Sequence, residues 1–216
     1  LHSKFPDLLA ADKVRTSRLG TPDGGEGPTP RPGDPWTVVS CAYVRDIKRL
    51  DLVVVTLAEV ASAHPVRWVH FGGGAQEQPL KDLAEQVAGE TDGLTVEMRG
   101  DTPNEEIRAF YKTHPVDAFV SLSSTEGLPV SIMEAMSYGI PVVATDVGGT
   151  SELVGSALNS GVLLQANPTA TEAAAAVEFV CSHRAEFNPR AVWWERTEED
   201  SAAKRTLAVL QGDRAV

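Results

Sequence analysis

The sequence is poor in cysteine, in positive charge and in long apolar runs. Two cysteines, Cys41 and Cys181, form no C-x-x-C pair and suggest no disulfide framework. A reducing cytoplasm is the compartment expected for such a chain. Lys and Arg total 19 against 30 Asp and Glu, a formal charge of −11. A surface that acidic repels a phosphate backbone, which disfavours general nucleic-acid binding. No apolar stretch approaches the ~20 residues that span a bilayer, and Leu1–Ala10 lacks the flanks and length of a signal peptide. His64, His70, His114 and His183 share no metal-site spacing with Cys or Asp. Neither a G-x-S-x-G elbow nor a G-x-x-x-x-G-K-[ST] loop occurs.

What remains is a soluble globular composition, 42% hydrophobic and 23% charged, in 216 residues. That is room for one large domain, or one domain with a short appendage. Gly20–Pro35 holds five Gly and five Pro in 16 residues and reads as a loop or linker. Before it, residues 1–19 are too few for a domain and read as a remnant or arm. A helical scrap is expected near Leu8–Ala11 and a strand near Val14–Leu19.

After Pro35, β-branched runs at Thr37–Cys41, Val66–Phe71, Leu94–Arg99, Ala118–Leu122, Val142–Thr145 and Val162–Leu164 predict strands. Between them, Arg49–Ala63, Leu80–Ala88, Glu105–Tyr111 and Val130–Tyr138 have helical periodicity. Ala170–His183 and Ala191–Leu210 are expected as two closing helices. The strands are nearly continuous apolar runs, as burial on both faces requires. Alternating strand and helix predicts an α/β fold: a Rossmann-like, doubly wound parallel sheet of about six strands, occupying residues 36–216. Ligands then belong at the carboxyl ends of the strands.

Three loops at those ends carry candidate chemistry. Phe71-Gly72-Gly73-Gly74 is either a tight strand-to-helix turn or a backbone contact for an anion. It is not G-x-G-x-x-G, and the first strand ends without glycine, so a nicotinamide-dinucleotide fingerprint is missing. Ser123 to Met136 runs from a strand into a helix opened by Pro129. That helix end offers backbone N–H groups to phosphate. Glu126 and Glu134, eight positions apart, add two carboxylates that suit a ligand with hydroxyls. The bland reading is a dipole-complementing Glu126 and a solvated Glu134. In Asp146–Glu152 the glycine pair allows positive φ or close approach, and Thr150 and Glu152 either cap a helix or face a ligand. Arg45-Asp46-Ile47-Lys48-Arg49 could offset a diphosphate or be an ordinary charged loop. The Trp193–Trp194 pair suits packing better than binding.

Glu126-Gly127-Leu128-Pro129 through Glu134-Ala135-Met136, then Gly139–Thr145 and Gly148–Glu152, resembles the C-terminal half of glycosyltransferase family 4. Val39–Cys41, Lys48-Arg49, His70–Gly72, Arg99-Gly100 and Val116–Val120 follow in that family's order, and the likeness runs from about Val38 to Leu164. The resemblance implies one half of a GT-B fold and a retaining enzyme that takes UDP- or GDP-linked sugars, with no metal or other cofactor. It implies that Lys48 pairs with the donor diphosphate and that Gly127, Leu128, Pro129, Val130 and Ser131 receive it. Glu126 would face the transferred sugar and Glu134 the ribose, with Lys48 and Glu126 the catalytic pair. Arg99 and Gly100 would line the base, and Gly72 the nucleotide. Many members carry arginine five positions before the lysine; here Tyr43 stands there, so Arg45 or Arg49 is expected to assist Lys48.

A GT-B enzyme places its site between two halves. Residues 1–19 resemble the tail of the acceptor half and 20–35 the connection, so an N-terminal acceptor domain, in the same or another chain, is the expected partner. Transfer to a glycan, lipid or small-molecule acceptor is the expected activity, with this chain alone expected to be inactive. Any peripheral membrane association is expected of the full enzyme only. A non-catalytic nucleotide-sugar-binding subunit and a sugar-nucleotide epimerase are the alternatives.

Overall fold

A computed structural model describes residues 19–211. The helical scrap expected at Leu8–Ala11 and, but for Leu19, the strand expected at Val14–Leu19 lie outside them.

The chain alternates as its periodicity predicts: β1 (Trp36–Cys41), α1 (Leu50–Ala61), β2 (Val66–Phe71), α2 (Glu77–Glu90), β3 (Leu94–Met98), α3 (Asn104–Thr113), β4 (Ala118–Ser121), α4 (Val130–Ser137), β5 (Val142–Thr145), β6 (Gly161–Leu164) and α5 (Ala170–Ser182). The six strands form one sheet in the order β3-β2-β1-β4-β5-β6, every pairing parallel. This is the doubly wound α/β arrangement, and the order reverses between β1 and β4.

Adjacent strand residues serve opposite cores, which explains the apolar runs. Val38, Trp68, Ala118, Val120 and Val143 pack under α1, α2 and α5. Val39, Val69, Phe71, Phe119 and Val142 pack under α3, α4 and the helix after α5. Helix α5 starts on a capping box, with Thr169 and Glu172 bonding each other's backbone N–H.

The closing helix expected over Ala191–Leu210 is two helices, α6 (Pro189–Arg196) and α7 (Glu199–Gln211). Polar groups make the break. The Thr197 carbonyl leaves the helical ladder to accept the Thr21 N–H at 2.9 Å. Glu198 then accepts the N–H groups of Asp200 and Ser201, satisfying the first turn of α7.

Residues 20–35 carry no helix or strand, as their proline and glycine content dictates. They are nonetheless fastened to the α4/α6 side. Trp193 Nε1 donates to Thr21 Oγ1 at 2.8 Å, Arg190 pairs with Asp23, and the Gly27 N–H bonds the Tyr138 carbonyl.

Candidate functional site

The carboxyl ends of β1 and β4 part at the reversal of strand order, and the loops that follow them meet there. After β1, a short 3-10 turn over Asp46–Lys48 turns Lys48 towards the loop after β4. The Ser124 N–H bonds the Ile47 carbonyl at 2.8 Å, joining the two loops by their backbones. Lys48 Nζ lies 2.6 Å from Glu126 Oε1, and the two side chains are only 17% and 13% exposed. The two residues expected to be catalytic are thus brought together as a largely buried ion pair.

Arg49 is placed differently from a free counter-ion. Its backbone adopts the left-handed conformation, φ 46°. Its guanidinium donates to the carbonyls of Leu122, Ser123 and Ala166 at 2.5, 2.9 and 2.8 Å. It therefore ties the loops after β4 and β6 together, and burial holds its pKa below the usual guanidinium value. Arg45 is exposed and lines a cavity of about 450 Å³ with Asp46 and Gln76, on the α1/α2 side.

Helix α4 starts at Val130 behind Pro129, and no side chain caps its first turn. Among the described residues, its leading N–H groups, from Val130 and Ser131 onward, therefore have no side-chain partner where Glu126, Gly127 and Leu128 deliver the chain. Val130 is 43% exposed. The Gly148-Gly149 pair buttresses this entry. Gly148 has φ +58°, and a Cβ there would fall 1.9 Å from the Glu126 carbonyl oxygen. The Gly149 N–H donates to the Gly127 carbonyl at 2.7 Å. Both options that the sequence left for these glycines are used. The segment beyond is only a 3-10 turn, Thr150–Glu152, with no side-chain cap; Thr150 Oγ1 bonds back to the Val147 carbonyl.

Glu134 sits one turn into α4, half-buried, and its Oε1 accepts a hydrogen bond from Asn104 Nδ2 at 2.8 Å. Burial, and next the Glu134 charge, push the nearby Cys41 thiol up to about 12, so it is no nucleophile at neutral pH. Cys41 also lines a cavity of about 440 Å³, with Tyr43, Phe71, Gly72, Thr102 and Pro103 among others. Gly72 makes the close approach on which this wall depends: φ is +128° and a Cβ would lie 2.0 Å from the Ala42 carbonyl oxygen.

Gly72 and Gly100 form an isolated bridge, and the Arg99 N–H bonds the His70 carbonyl, so backbone makes this side of the site. The Arg99 guanidinium turns to Glu97 and lies 5.5 and 5.1 Å from the Phe71 and Phe110 ring centres. Tyr43, which replaces the arginine that the resemblance places there in many members, is 54% exposed. Behind the loops, His70 is fully buried and bonded through Nδ1 to Ser40 Oγ at 2.8 Å. Desolvation pulls its pKa down to about 4, which keeps it neutral.

Sequence reasoning missed Asn104 and Asp101, whose Oδ1 accepts the Gly73 N–H at 3.0 Å. Both stand in the polar run after Gly100, where no spacing marks one residue over its neighbours.

The family model of glycosyl transferases group 1 matches residues 26–200. WcaL of Salmonella typhimurium, named for colanic acid biosynthesis, is 35% identical over 153 residues, 68% of this chain and 37% of that protein. The lipopolysaccharide core biosynthesis mannosyltransferase LpsB of Rhizobium meliloti is 32% identical over 141 residues, 63% of this chain and 39% of that one. The chain thus spans well under half the length of these relatives. The lipopolysaccharide outer core galactosyltransferase WaaB shares the fold at a TM-score of 0.80 and 18% identity, over 98% of this chain and 59% of that one. The Anabaena HepE complex with UDP-glucose follows at a TM-score of 0.67 and 20% identity, over 83% of this chain and 49% of that one. The fold is that of GT-B glycosyltransferase domains, and the chain belongs to the group 1 glycosyl transferases.

Proposed function

We propose that this chain is the donor-binding, C-terminal half of a retaining family 4 glycosyltransferase that uses a UDP- or GDP-linked sugar. The observation that carries this reading is the meeting of Lys48 and Glu126 beside the uncapped start of α4, with Glu134 one turn along the same helix.

The diphosphate would lie against the leading N–H groups of α4, where the helix dipole and orphan donors favour an anion. Lys48 would exchange Glu126 for the diphosphate and hold its growing charge as the nucleotide leaves. Glu126, released, would accept hydrogen bonds from hydroxyls of the sugar. The acceptor would then attack from the face the nucleotide leaves, with no protein nucleophile. Lysine and helix end supply the electrostatic stabilisation, so no metal is required by this scheme. Glu134 would take the ribose, and the cavity at Cys41, Gly72 and Pro103 the base, against the backbone of Arg99 and Gly100. Arg45 is placed to add long-range positive potential, while Arg49 acts by shaping the loops.

The acceptor half would come from elsewhere in the same chain or from another. The exposed Trp194, Leu207 and Leu210 on α6 and α7 suit a surface that such a half covers. Glycan, lipid or small-molecule acceptors in bacterial polysaccharide or glycoconjugate assembly fit the names of the relatives, and the cytoplasm is the compartment where nucleotide sugars would be met. Calorimetric titration with UDP, GDP and ADP tests the reading. Saturable binding of UDP or GDP supports it, and heats of dilution alone for all three would refute it.

A further inference from the structure

One contact on the nucleotide side of the site has no part in the scheme above. Asn104 opens α3, and its amide reaches across 30 positions to Glu134 on α4, Nδ2 to Oε1 at 2.8 Å. Thr102 and Pro103, immediately before it, line the cavity at Cys41 and Gly72. The start of α3 is therefore at once a wall of that cavity and a clasp on the Glu134 carboxylate.

The chemistry of the clasp matters. A neutral amide fixes one carboxylate oxygen without cancelling the charge, which a lysine or arginine at position 104 would do. It leaves Oε2 without a hydrogen-bond partner among the described residues and sets its direction. Arg108 and Tyr111 on α3 and Cys41 at the end of β1 also bear on Glu134, and Tyr138 at the end of α4 bears in turn on Arg108 and Tyr111. Burial pushes the Cys41 thiol and the Tyr111 phenol upward, so both stay neutral. Arg108 supplies positive charge from the side, and the Asn104 amide supplies the orientation.

The geometry points to Asn104 as a positioning residue for nucleotide recognition: it aims the Glu134 carboxylate so that Oε2 accepts hydrogen bonds from the ribose 2′- and 3′-hydroxyls. This role rests on the reading of the chain as a nucleoside-diphosphate binder.

The test uses this chain with Asn104→Ala and Asn104→Asp, titrated with whichever of UDP and GDP binds more tightly and with its 2′-deoxy and 3′-deoxy forms. Circular dichroism and thermal melting first establish that the variants fold. In Asn104→Ala the ribonucleotide should lose roughly fivefold to tenfold in affinity, and at least one deoxy form less than about twofold, so discrimination against it collapses. Asn104→Asp should lose at least as much at pH 7.5, where two carboxylates repel. Equal losses for all ligands would reveal a merely structural residue and overturn the role, as would unchanged discrimination. A wild-type chain that binds neither UDP nor GDP would overturn the nucleotide reading and this role with it.

Discussion

Lys48 and Glu126 lie 78 positions apart in sequence and 2.6 Å apart in space, each largely hidden from water. A pair this buried is costly to break on one side, because the remaining charge keeps its desolvation penalty. Lys48→Met should therefore lower stability by about 1–3 kcal/mol in denaturant unfolding. Lys48→Met with Glu126→Gln should recover most of that loss, whereas donor affinity should stay low in both. Recovery of nucleotide binding in the double variant would mean that Lys48 does not meet the diphosphate.

Arg49 gives a different signature. Its three bonds to loop carbonyls depend on the guanidinium fork, which an ammonium cannot reproduce. Arg49→Lys should cost about 2–3 kcal/mol of stability although the charge is kept. An unfolding curve superimposable on wild type would show that the three carbonyls do not depend on it.

Gly148 holds the entry to α4 in place. Gly148→Ala puts a Cβ where the Glu126 carbonyl now sits, 1.9 Å away, on a backbone at φ +58°. The expected outcome is a loss of about 1–3 kcal/mol in stability together with weaker nucleotide binding, since the displaced loop carries Glu126 and Gly127. Calorimetry and thermal melting on the same sample check both.

The buried His70 sets an acid limit. Its folded pKa of about 4 lies below the unfolded value of 6.5, so the unfolded chain binds a proton more readily between those values. Stability should thus be unaffected by this group above about pH 7 and fall as pH drops from 6.5 towards 4. The loss can reach about 3 kcal/mol. Denaturation midpoints measured across that range for His70→Asn should show a shallower acid limb than wild type.

The Trp193–Trp194 pair separates packing from surface. Trp193 is fully buried and hydrogen-bonded to Thr21, whereas Trp194 is 58% exposed. Trp193→Ala should cost about 3–5 kcal/mol, and Trp194→Ala within about 0.5 kcal/mol of nothing, read from chemical denaturation.

The strands and the loops at their ends were legible because two-sided burial writes itself as apolar runs, and β2 and β5 have the bounds expected of them. The α6–α7 break was not legible. Thr197 and Glu198 are compatible with a helix, and only the arrival of Thr21 draws the Thr197 carbonyl away. Within the candidate site, Glu126 and Glu134 could be singled out by their spacing around a helix start. The fate of Arg49 could not, because the backbone carbonyls it bonds lie more than 70 positions away. Asn104 was hidden for the same reason: what it bonds is fixed by how α3 packs beside α4.

On the proposed function, a nucleoside diphosphate lies on the start of α4 between Lys48 and Glu134. A crystal structure of this chain grown with UDP or GDP tests it most directly. Phosphate oxygens are expected within hydrogen-bond distance of Lys48 Nζ and the leading N–H groups of α4, with the ribose against Glu134. Nucleotide density seated elsewhere, for instance in the cavity beside Arg45, Asp46 and Gln76, with the Lys48–Glu126 pair intact, would contradict it.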